Sequence, residues 1–468
     1  MKIIIELLLQ YTSLIITMVF VLIILSGRKE ARATLAWLLF VIFFPYLGAI
    51  AYLIFGNYKL KRIVEKKRRE SRKIHLTQYH SCILEYEKNR FGKLVEKVTG
   101  LEPFLIKDLE LLPSAIEKYS KLFQDINSAQ KYILLEYYVF RQDDVGKFLV
   151  KLLTKKAREG VKIYLLYDGI GAIGLSIRKI LDPLVNAGGK CAAFLSPLNL
   201  KTFSRVNFRN HRKIAIIDGE ICYTGGINIG NEYIGDLFNK QKWYDAHIRF
   251  KGNGVGFVEE VFAEDWYFTT GEDITPFLKK REAEAGDTTV HIVPSGPDQE
   301  SPYIYDTLFT VFNKAEKSIE VVTPYLVPDA PIMESLKNAA KRGVDVKLIL
   351  PGKNNHPMVA MAGRSYYEEL LLAGVKIFEM KDVMIHAKII KVDDQWVTVG
   401  SANLDIRSFR LNFELNVIVY SSEFAYEVTK LFKYYLSLSK EINYDKVAKR
   451  HFTVRIFEGV CRTLSPVL

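Results

Sequence analysis

Two long apolar stretches open the chain, and shorter apolar segments alternate with polar ones after them. Residues 3–27 contain no Lys or Arg and a single acid, Glu6, and residues 33–58 contain no charged residue. Each stretch is long enough to cross the hydrocarbon layer of a bilayer, which is about 30 Å thick. We expect Pro45 to kink the second stretch, which contacts with a neighbouring helix can tolerate. The pattern predicts a transmembrane helical hairpin over residues 1–58.

A cleaved signal peptide is the alternative for the first stretch. Only Lys2 adds charge to its leading end, no convincing small-residue cleavage site follows, and a second apolar stretch comes at once. Nine basic residues between Lys59 and Lys73 place the C-terminal part on the cytoplasmic side of the plasma membrane, by the positive-inside rule. They should also attract anionic lipid headgroups. Three basic residues in the short link between the stretches weaken this orientation, because a hairpin would leave them outside.

From about residue 100 the chain alternates runs typical of strands with amphipathic stretches typical of helices. The strand candidates are Tyr132–Val139, Val161–Tyr167, Ile214–Ile217, Ile221–Thr224, Ile319–Val322 and Val344–Leu350, and the clearest helix candidates are Val145–Glu159 and Ile332–Lys341. The segment KKAREGVKIYLL (155–166) resembles NAAKRGVDVKLIL (338–350), and VNAGGK (185–190) resembles LLAGVK (371–376) in the same order. Shared order indicates duplication. We therefore expect an α/β fold of two similar halves, each a mixed β-sheet flanked by helices.

The expected domain boundaries follow from this pattern. They are a two-helix anchor over 1–58, a basic linker over 59–100, a first half over 101–280 and a second half over 281–468. The linker between the halves is expected near Lys279–Asp287, where charged residues, Ala and Gly are frequent.

One polar pattern occurs twice in register, 175 residues apart. It places a His-x-Lys group, an Asp, a Gly-small pair and an Asn at fixed intervals. The residues are His211, Lys213, Asp218, Gly225, Gly226 and Asn228, and then His386, Lys388, Asp393, Gly400, Ser401 and Asn403. One match could arise by chance in a chain with 8 histidines, but two copies with the same tail indicate a functional site.

These residue types suit phosphoryl transfer. By the two-residue period of a strand, each His and its Lys lie on one face and point into a shared site. One imidazole can attack phosphorus, while the other protonates the leaving alcohol and deprotonates the incoming one. The two Lys residues, together with Asn228 and Asn403, are expected to hold the nonbridging oxygens. Gly226 and Ser401 allow close backbone approach to the substrate.

Two further pairs of acids accompany the motifs. Asp218 and Asp393 belong to the candidate catalytic set because they are part of the motif. By the alternation of side chains along a strand, however, they lie on the face opposite to the His and Lys, so we expect them mainly to shape the motif. Asp245 and Glu414 follow the histidine of their own half by 34 and 28 residues. An acid in such apolar surroundings is expected to be buried with a partner, and we assign these two to orienting the histidines. A structural ion pair is the alternative.

Metal and cofactor chemistry is not expected. The sequence has no set of carboxylates at metal-ligand spacing. Its four cysteines are scattered, without a Cys-x-x-Cys pair or a Cys/His cluster. Isolated thiols are typical of a cytoplasmic catalytic domain.

The chain resembles the phospholipase D superfamily, whose mark is the duplicated His-x-Lys-x4-Asp motif, and within it the bacterial cardiolipin synthases. The resemblance is carried by ATLAWLLFVIFFPYLGAIAYLIFG (33–56), NHRKIAIIDGEICYTGGINIGNEY (210–233), HAKIIKVDDQWVTVGSANLDIRSF (386–409) and LSPVL (464–468). It implies two phospholipase D-like halves that form one active site. It also implies that two phosphatidylglycerol molecules become cardiolipin and glycerol through a phosphohistidine. By this resemblance His211 is the nucleophile and His386 the acid/base; the nearly symmetric motifs do not assign these roles.

The formal net charge of +12 indicates an anionic partner, which composition alone leaves open among a membrane surface, nucleic acid and a phosphorylated substrate. The chemistry would also allow a nuclease or a hydrolytic phospholipase. The apolar N-terminus favours lipid, so we expect phosphatidylglycerol and anionic membrane lipids as partners and no nucleic acid. A scaffold with an inactive site is disfavoured, because the His, Lys and Asn residues of both motifs are intact. The loop over residues 196–210 suits a lipid entrance or an ordinary surface loop. Other second substrates and the oligomeric state remain open.

Overall fold

The computed structural model describes residues 2–27, 31–56, 90–177, 179–198, 207–235, 243–279 and 286–464. Internal contacts divide the chain into two compact units. The N-terminal unit comprises Met1–Lys66 and Leu195–Phe208, and the large unit comprises Lys67–Phe194 and Arg209–Leu468.

The N-terminal unit contains three apolar helices, α1 (Lys2–Ser26), α2 (Ala31–Phe43) and α3 (Pro45–Phe55). Within α1, Leu7–Ser26 is long and apolar enough to cross a membrane, with a mean hydropathy of 2.4, and 6% of it is buried. The second apolar stretch is not the kinked spanning helix that the sequence predicts. It breaks before Pro45, and neither α2 nor α3, with 13 and 11 residues, reaches the roughly 20 residues that a span needs.

The helices of the large unit pack on its sheet. They are α4 (Arg90–Thr99), α5 (Ala115–Ser128), α6 (Asp144–Arg158), α7 (Ile173–Ile177), α8 (Asp182–Asn186), α9 (Gly254–Thr270), α10 (Tyr303–Lys314), α11 (Ala330–Lys341), α12 (Pro357–Arg364), α13 (Tyr367–Leu372), α14 (Ile406–Arg410), α15 (Ser422–Ser437), α16 (Tyr444–Ala448) and α17 (Phe452–Thr463), with 3-10 turns at Asn231–Tyr233 and Thr275–Phe277.

The strands of the large unit carry both motifs. They are β1 (Phe104–Leu112), β2 (Tyr132–Tyr137), β3 (Lys162–Asp168), β4 (Lys190–Phe194), β5 (Lys213–Ile217), β6 (Ile221–Gly225), β7 (Trp243–Tyr244), β8 (His247–Gly252), β9 (Thr288–Ser295), β10 (Ser318–Val322), β11 (Leu326–Val327), β12 (Asp345–Pro351), β13 (Lys376–Met380), β14 (Met384–Ile385), β15 (Ile389–Val392), β16 (Trp396–Gly400), β17 (Leu404–Asp405), β18 (Glu414–Val419) and β19 (Ser439–Glu441). Every strand and helix named from the sequence after residue 100 is confirmed, with ends displaced by at most two residues.

Fifteen of the described strands form one mixed sheet, in the order β19-β13-β12-β10-β15-β16-β18-β9-β1-β8-β6-β5-β2-β3-β4. The run β1-β8-β6-β5-β2-β3-β4 has the same topology as β9-β18-β16-β15-β10-β12-β13. The two runs meet where β1 and β9 pair antiparallel, from Phe104 opposite Val290 to Ile106 opposite Thr288. The duplicated α/β architecture expected from the sequence is therefore present.

Each half has its own hydrophobic core between sheet and helices. The equivalent helices α6 and α11 of the two halves each begin at an aspartate cap. Asp143 accepts the Gly146 N–H in α6, and Asp329 accepts the Ile332 N–H in α11. Residues 90–99, assigned from the sequence to the basic linker, form α4, whose Phe91 is buried in the second core. Most of the expected linker between the halves lies outside the described residues.

Candidate active site

The two motifs converge on one cavity of about 710 Å³ in the large unit. The predicted residues that line it are His211, Asn228, His386 and Asn403. The histidines lie just before β5 and β15, which begin at Lys213 and Ile389.

Each histidine is held by backbone hydrogen bonds to the opposite half. The His211 N–H donates to the Phe413 carbonyl at 2.9 Å, and the Phe413 N–H donates to the Arg209 carbonyl at 2.9 Å. On the other side, the His386 N–H donates to the Tyr244 carbonyl at 2.6 Å, and β14 pairs parallel with β7. These two bridges place each histidine next to the residue that precedes the other half's acid.

The acid partners are consequently crossed between the halves. His211 Nδ1 lies 2.9 Å from Glu414 Oε2, and His386 Nδ1 lies 2.7 Å from Asp245 Oδ2. Each of the two acids assigned to orienting the histidines thus lies beside one of them, but beside the histidine of the other half; the sequence does not show which acid pairs with which histidine, because the pairing joins distant segments. A hydrogen bond from Nδ1 to a carboxylate fixes the ring and leaves Nε2 for the reacting group.

Burial sets the charge state of these groups. It lowers the pKa of His211 to about 4, although Glu414 acts in the opposite direction. It lowers the pKa of His386 to about 3, with the Lys388 charge adding to the effect. Burial alone would raise the pKa of Glu414, but His211 and Lys213 hold it below its ordinary value. Both imidazoles are therefore neutral near pH 7, and an anionic group between them would raise both pKa values.

Both motif lysines are buried beside their own histidine. Lys213 Nζ donates to the His211 carbonyl at 2.6 Å. Lys388 Nζ donates to the His386 carbonyl and also lies 3.0 Å from Nδ1 and 3.2 Å from Nε2 of that ring. Burial lowers the pKa of Lys388 to about 8 and that of Lys213 well below its ordinary value. Neither lysine is among the residues that line the cavity.

The two motif asparagines are equivalent in position but not in bonding. Asn228 accepts the Val139 N–H at 3.0 Å and donates to the Tyr233 hydroxyl at 2.8 Å. The Oδ1 atom of Asn403 is buried and has no hydrogen-bond partner in the part of the chain that the structure describes. The Asn403 amide is thus the less committed of the two.

Gly226 and Ser401 break the symmetry of the site. Ser401 Oγ donates to Glu414 Oε2 at 2.5 Å and accepts the Leu415 N–H at 2.9 Å. A Cβ at Gly226 would lie 2.0 Å from Asp245 Oδ1. The side chain of Ser401 thus faces the histidine-orienting acid, and glycine at 226 makes room for the other acid.

Asp218 and Asp393 lie at strand ends with φ of 54° and 51°. Asp218 accepts the N–H groups of Gln130, Lys131 and Tyr132 at 2.7, 2.7 and 2.9 Å. Asp393 accepts three N–H groups in the equivalent connection of the second half, at 2.7 to 2.8 Å. Each carboxylate fastens a turn to the start of a core strand, and neither lines the cavity.

Sequence reasoning missed several cavity residues because they occur in one half only. Arg209 stands two residues before His211, where the second half has Met384, and Arg407 stands four residues after Asn403, where the first half has Glu232. Tyr138 also lines the cavity, with its ring centroid 4.8 Å from that of His211. Arg209 lies two residues before His211, so by the alternation of side chains along an extended segment both lie on the same face. This spacing could have identified Arg209 from the sequence.

No group of three or more His, Cys, Asp or Glu side chains suited to a metal occurs among the residues that the structure describes. Guanidinium groups of Arg141, Arg209 and Arg407 line the cavity.

Comparisons with known proteins place these features in a family. The family described as "Cardiolipin synthase, PLD-like domain" matches residues 122–244 and 308–436, which contain the two motifs. The family described as "Phospholipase D-nuclease N-terminal" matches residues 14–57. A cardiolipin synthase of Geobacillus kaustophilus is 36% identical over 95% of this chain and 90% of its own length. The major cardiolipin synthase of Bacillus subtilis is 35% identical over 96% of each chain.

Solved structures support the fold independently of close sequence similarity. The crystal structure of a phosphatidylserine synthase from Haemophilus influenzae matches with a TM-score of 0.61 at 15% identity, covering 81% of this chain and 100% of that one. With the family match over both halves and the relatives over nearly the whole length, the chain belongs to the family of cardiolipin synthases with a phospholipase D-like domain.

Proposed function

We propose that the large unit transfers a phosphatidyl group from one phosphatidylglycerol to a second, giving cardiolipin and glycerol, at a single site made by both halves. The observation that carries the proposal is the crossed pair of hydrogen bonds, His211 with Glu414 and His386 with Asp245, around one cavity. Each half supplies one imidazole and the carboxylate that orients the other imidazole.

The first step forms a phosphohistidine. His211 Nε2 attacks the phosphorus of the donor lipid, and the bond from phosphorus to the glycerol oxygen breaks. His386, protonated once the anionic phosphate lies beside it, gives its proton to the leaving glycerol. In the second step neutral His386 takes the proton from a hydroxyl of the second phosphatidylglycerol. That oxygen attacks phosphorus, the bond to His211 breaks, and cardiolipin is released.

The contacts of the lysines support this division of roles. Lys388 Nζ lies 3.0 Å from Nδ1 and 3.2 Å from Nε2 of His386, where its charge makes that ring less basic and therefore less suited to attack phosphorus. Lys213 Nζ donates instead to the His211 backbone carbonyl. Both lysines stabilise the charge that develops on the phosphate. Both ends of the Asn228 amide already have partners, so the Asn403 NH₂ group is the better placed of the two asparagines to donate to a nonbridging oxygen.

We further propose that the N-terminal unit anchors the enzyme in the plasma membrane and that residues 101–280 and 281–468 act as the two catalytic halves in the cytoplasm. The family match over residues 14–57 and the apolar α1 support the anchor. A His75→Cys probe should be shielded from an impermeant thiol reagent in intact cells and should react after permeabilisation. Ready labelling in intact cells would reverse the orientation.

The function is tested with purified full-length enzyme in vesicles that contain phosphatidylglycerol as the only phospholipid. We expect one glycerol released for each cardiolipin formed. Release of glycerol with phosphatidic acid would indicate hydrolysis instead, and cleavage of added DNA without lipid turnover would indicate a nuclease. Parallel vesicles with phosphatidylethanolamine or a free alcohol show whether other second substrates are used.

A further inference from the structure

The reaction proposed above, on which this inference rests, brings two phosphates into one cavity. One is attacked by histidine. The other belongs to the acceptor lipid, is not attacked, and remains one glycerol away from the first in the product. The histidine pair accounts for the first phosphate, so the second needs cationic groups of its own.

The charged side chains that line the cavity differ between the two halves, although the motifs of the two halves are alike. Four residues after the motif asparagine stands Arg407 in the second half and Glu232 in the first, and both line the cavity. Arg209 adds a second guanidinium, at a position where the other half has Met384. The charges of Arg407 and Arg209 both act on the phenol of Tyr138, whose ring lies against His211. The two arginines are therefore grouped on the His211 side.

The guanidinium of Arg209 is positioned by an ion pair, and the backbone that carries Arg407 is fixed by a helix cap. Arg209 is buried and lies 3.3 Å from Asp168, whose carboxylate also accepts the Ile170 and Gly171 N–H groups at 2.8 Å each. Arg407 belongs to the short helix α14, which Asp405 caps by accepting the Ser408 N–H at 2.7 Å. A guanidinium binds phosphate through two parallel hydrogen bonds, and it stays charged even when burial disfavours the cation.

We propose that Arg407, supported by Arg209, binds the phosphate of the acceptor phosphatidylglycerol. At the equivalent position of the first half, Glu232 pairs with Arg141, which also lines the cavity, at 3.2 Å; because that guanidinium is already neutralised, the acceptor phosphate is directed to Arg407 and the cavity accepts the two lipids in one orientation. The arginines then determine that the acceptor is an anionic lipid and not a neutral alcohol.

Two activities of one enzyme separate this role from general catalysis. Exchange of labelled free glycerol into phosphatidylglycerol uses a neutral acceptor, whereas cardiolipin formation uses a phosphate-bearing one. Arg407→Gln should reduce cardiolipin formation by at least about tenfold more than glycerol exchange, the factor expected for loss of one charge-assisted interaction. Arg407→Lys should recover part of the difference. Arg410→Gln, an exposed position of the same helix, is the matched control and should alter neither activity.

Equal loss of both activities in Arg407→Gln would overturn the proposal, as would an unchanged ratio in a folded variant. If the wild-type enzyme shows neither activity, the proposed function itself fails, and the acceptor site fails with it. Wild-type activity with an unchanged ratio in the variant contradicts the acceptor site alone.

A second inference rests on the N-terminal unit, where α2 and α3 fold back on each other. The rings of Trp37 and Tyr52 are 5.2 Å apart, whereas a continuous helix would separate these positions by roughly 22 Å. A Cβ at Gly48 would lie 2.8 Å from the Cα of Val41, so the two helices are in backbone contact beside the break at Pro45. Proline fits the first position of α3, because it has no N–H that would need a partner there.

The contacts with α1 fix the direction of α3. The Tyr46 hydroxyl lies 2.6 Å from Thr12 Oγ1 and 3.1 Å from the Leu9 carbonyl, and the Tyr52 ring lies 6.0 Å from that of Phe20. Because position 46 meets 12 and position 52 meets 20, α3 runs parallel to α1. Helix α3 therefore ends near the C-terminal end of α1, which is also the end at which α2 begins.

We infer that α2 and α3 form a re-entrant hairpin, which enters and leaves the bilayer on one side, and that α1 alone spans it. Exposed apolar side chains at the tip, among them Phe43 and Leu47 at 71% and 60% exposure, suit burial in lipid. The three basic residues at 28, 29 and 32 and the nine between Lys59 and Lys73 then share the cytoplasmic side. This arrangement removes the conflict that a two-span hairpin has with the positive-inside rule.

Cysteine labelling distinguishes the two arrangements without reference to activity. Single Lys2→Cys, Lys29→Cys and Lys61→Cys variants, with the four native cysteines replaced by serine, are treated with an impermeant maleimide before and after permeabilisation of spheroplasts. The re-entrant arrangement predicts immediate labelling at position 2 only. Immediate labelling at 29 with protection at 61 would establish two spans and overturn the inference. Protection at all three positions would overturn the spanning role of α1.

Discussion

The motif aspartates offer a sharp test of whether a residue in a catalytic motif acts in the reaction or in the fold. In Asp218, Oδ1 accepts the N–H groups of Lys131 and Tyr132, and Oδ2 accepts that of Gln130. Asp218→Asn keeps one oxygen for the first two donors but turns an NH₂ group toward the third. The loss is about one charge-assisted hydrogen bond, on the order of 1.5–3 kcal/mol. For a cooperative unit of about 150–250 residues this lowers the melting temperature by roughly 3–12 °C.

Asp393→Asn should cost slightly more, because Oδ2 of Asp393 also pairs with Arg90, a partly exposed interaction worth at most about 1 kcal/mol. Asp382→Asn is the matched control, since this exposed residue has a similar φ of 52° and asparagine tolerates it. Thermal unfolding of the full-length protein in detergent is compared with cardiolipin formation well below the transition. We expect lower melting temperatures with activity retained within about fivefold. Unchanged melting with a loss of about a thousandfold in rate would refute the structural role.

Four further predictions concern the chemistry. His211→Ala and His386→Ala should each abolish cardiolipin formation while circular dichroism and melting stay normal; near-normal turnover in either would exclude the paired site. The rate should fall as pH drops through about 4, where His211 gains a proton, and as pH rises through about 8, where Lys388 loses one. Lys388→Arg should shift the alkaline fall in rate to higher pH. If this fall does not shift, it belongs to another group. Glu414→Gln should slow phosphohistidine formation in a rapid-quench assay more than Asp245→Asn does, because the crossed pairing links Glu414 to the attacking ring; the reverse order would contradict that pairing. EDTA should not inhibit at constant ionic strength, and loss of activity restored by one divalent ion would contradict catalysis by the protein's own cations.

The sequence predicts what repeats or alternates locally. The apolar runs locate β2, β3, β5, β10 and β12 to within two residues, and the repeated motif identifies both histidines before any contact is known. Burial, the two-residue period and turn chemistry all act within a few positions along the chain, which is why these elements are accessible to sequence reasoning.

What depends on contacts between distant segments was not accessible in this way. The crossed pairing arises because residues 209–211 bridge to Phe413 and β14 bridges to β7, and parity within one strand says nothing about such bridges. Arg407 was missed because its counterpart in the repeat is Glu232. The break at Pro45 was expected only as a kink, since the contact of Trp37 with Tyr52 depends on packing between helices.

The central claim is that one imidazole carries the phosphatidyl group while the other moves the proton. Rapid quenching of the enzyme with phosphatidylglycerol, followed by peptide mass spectrometry under conditions that preserve phosphohistidine, tests it directly. We predict a phosphatidyl adduct on His211 in the wild-type enzyme, formed and consumed at the rate of turnover. An adduct on His386 would exchange the roles of the two rings. Turnover at the normal rate with no adduct on either histidine would contradict the account.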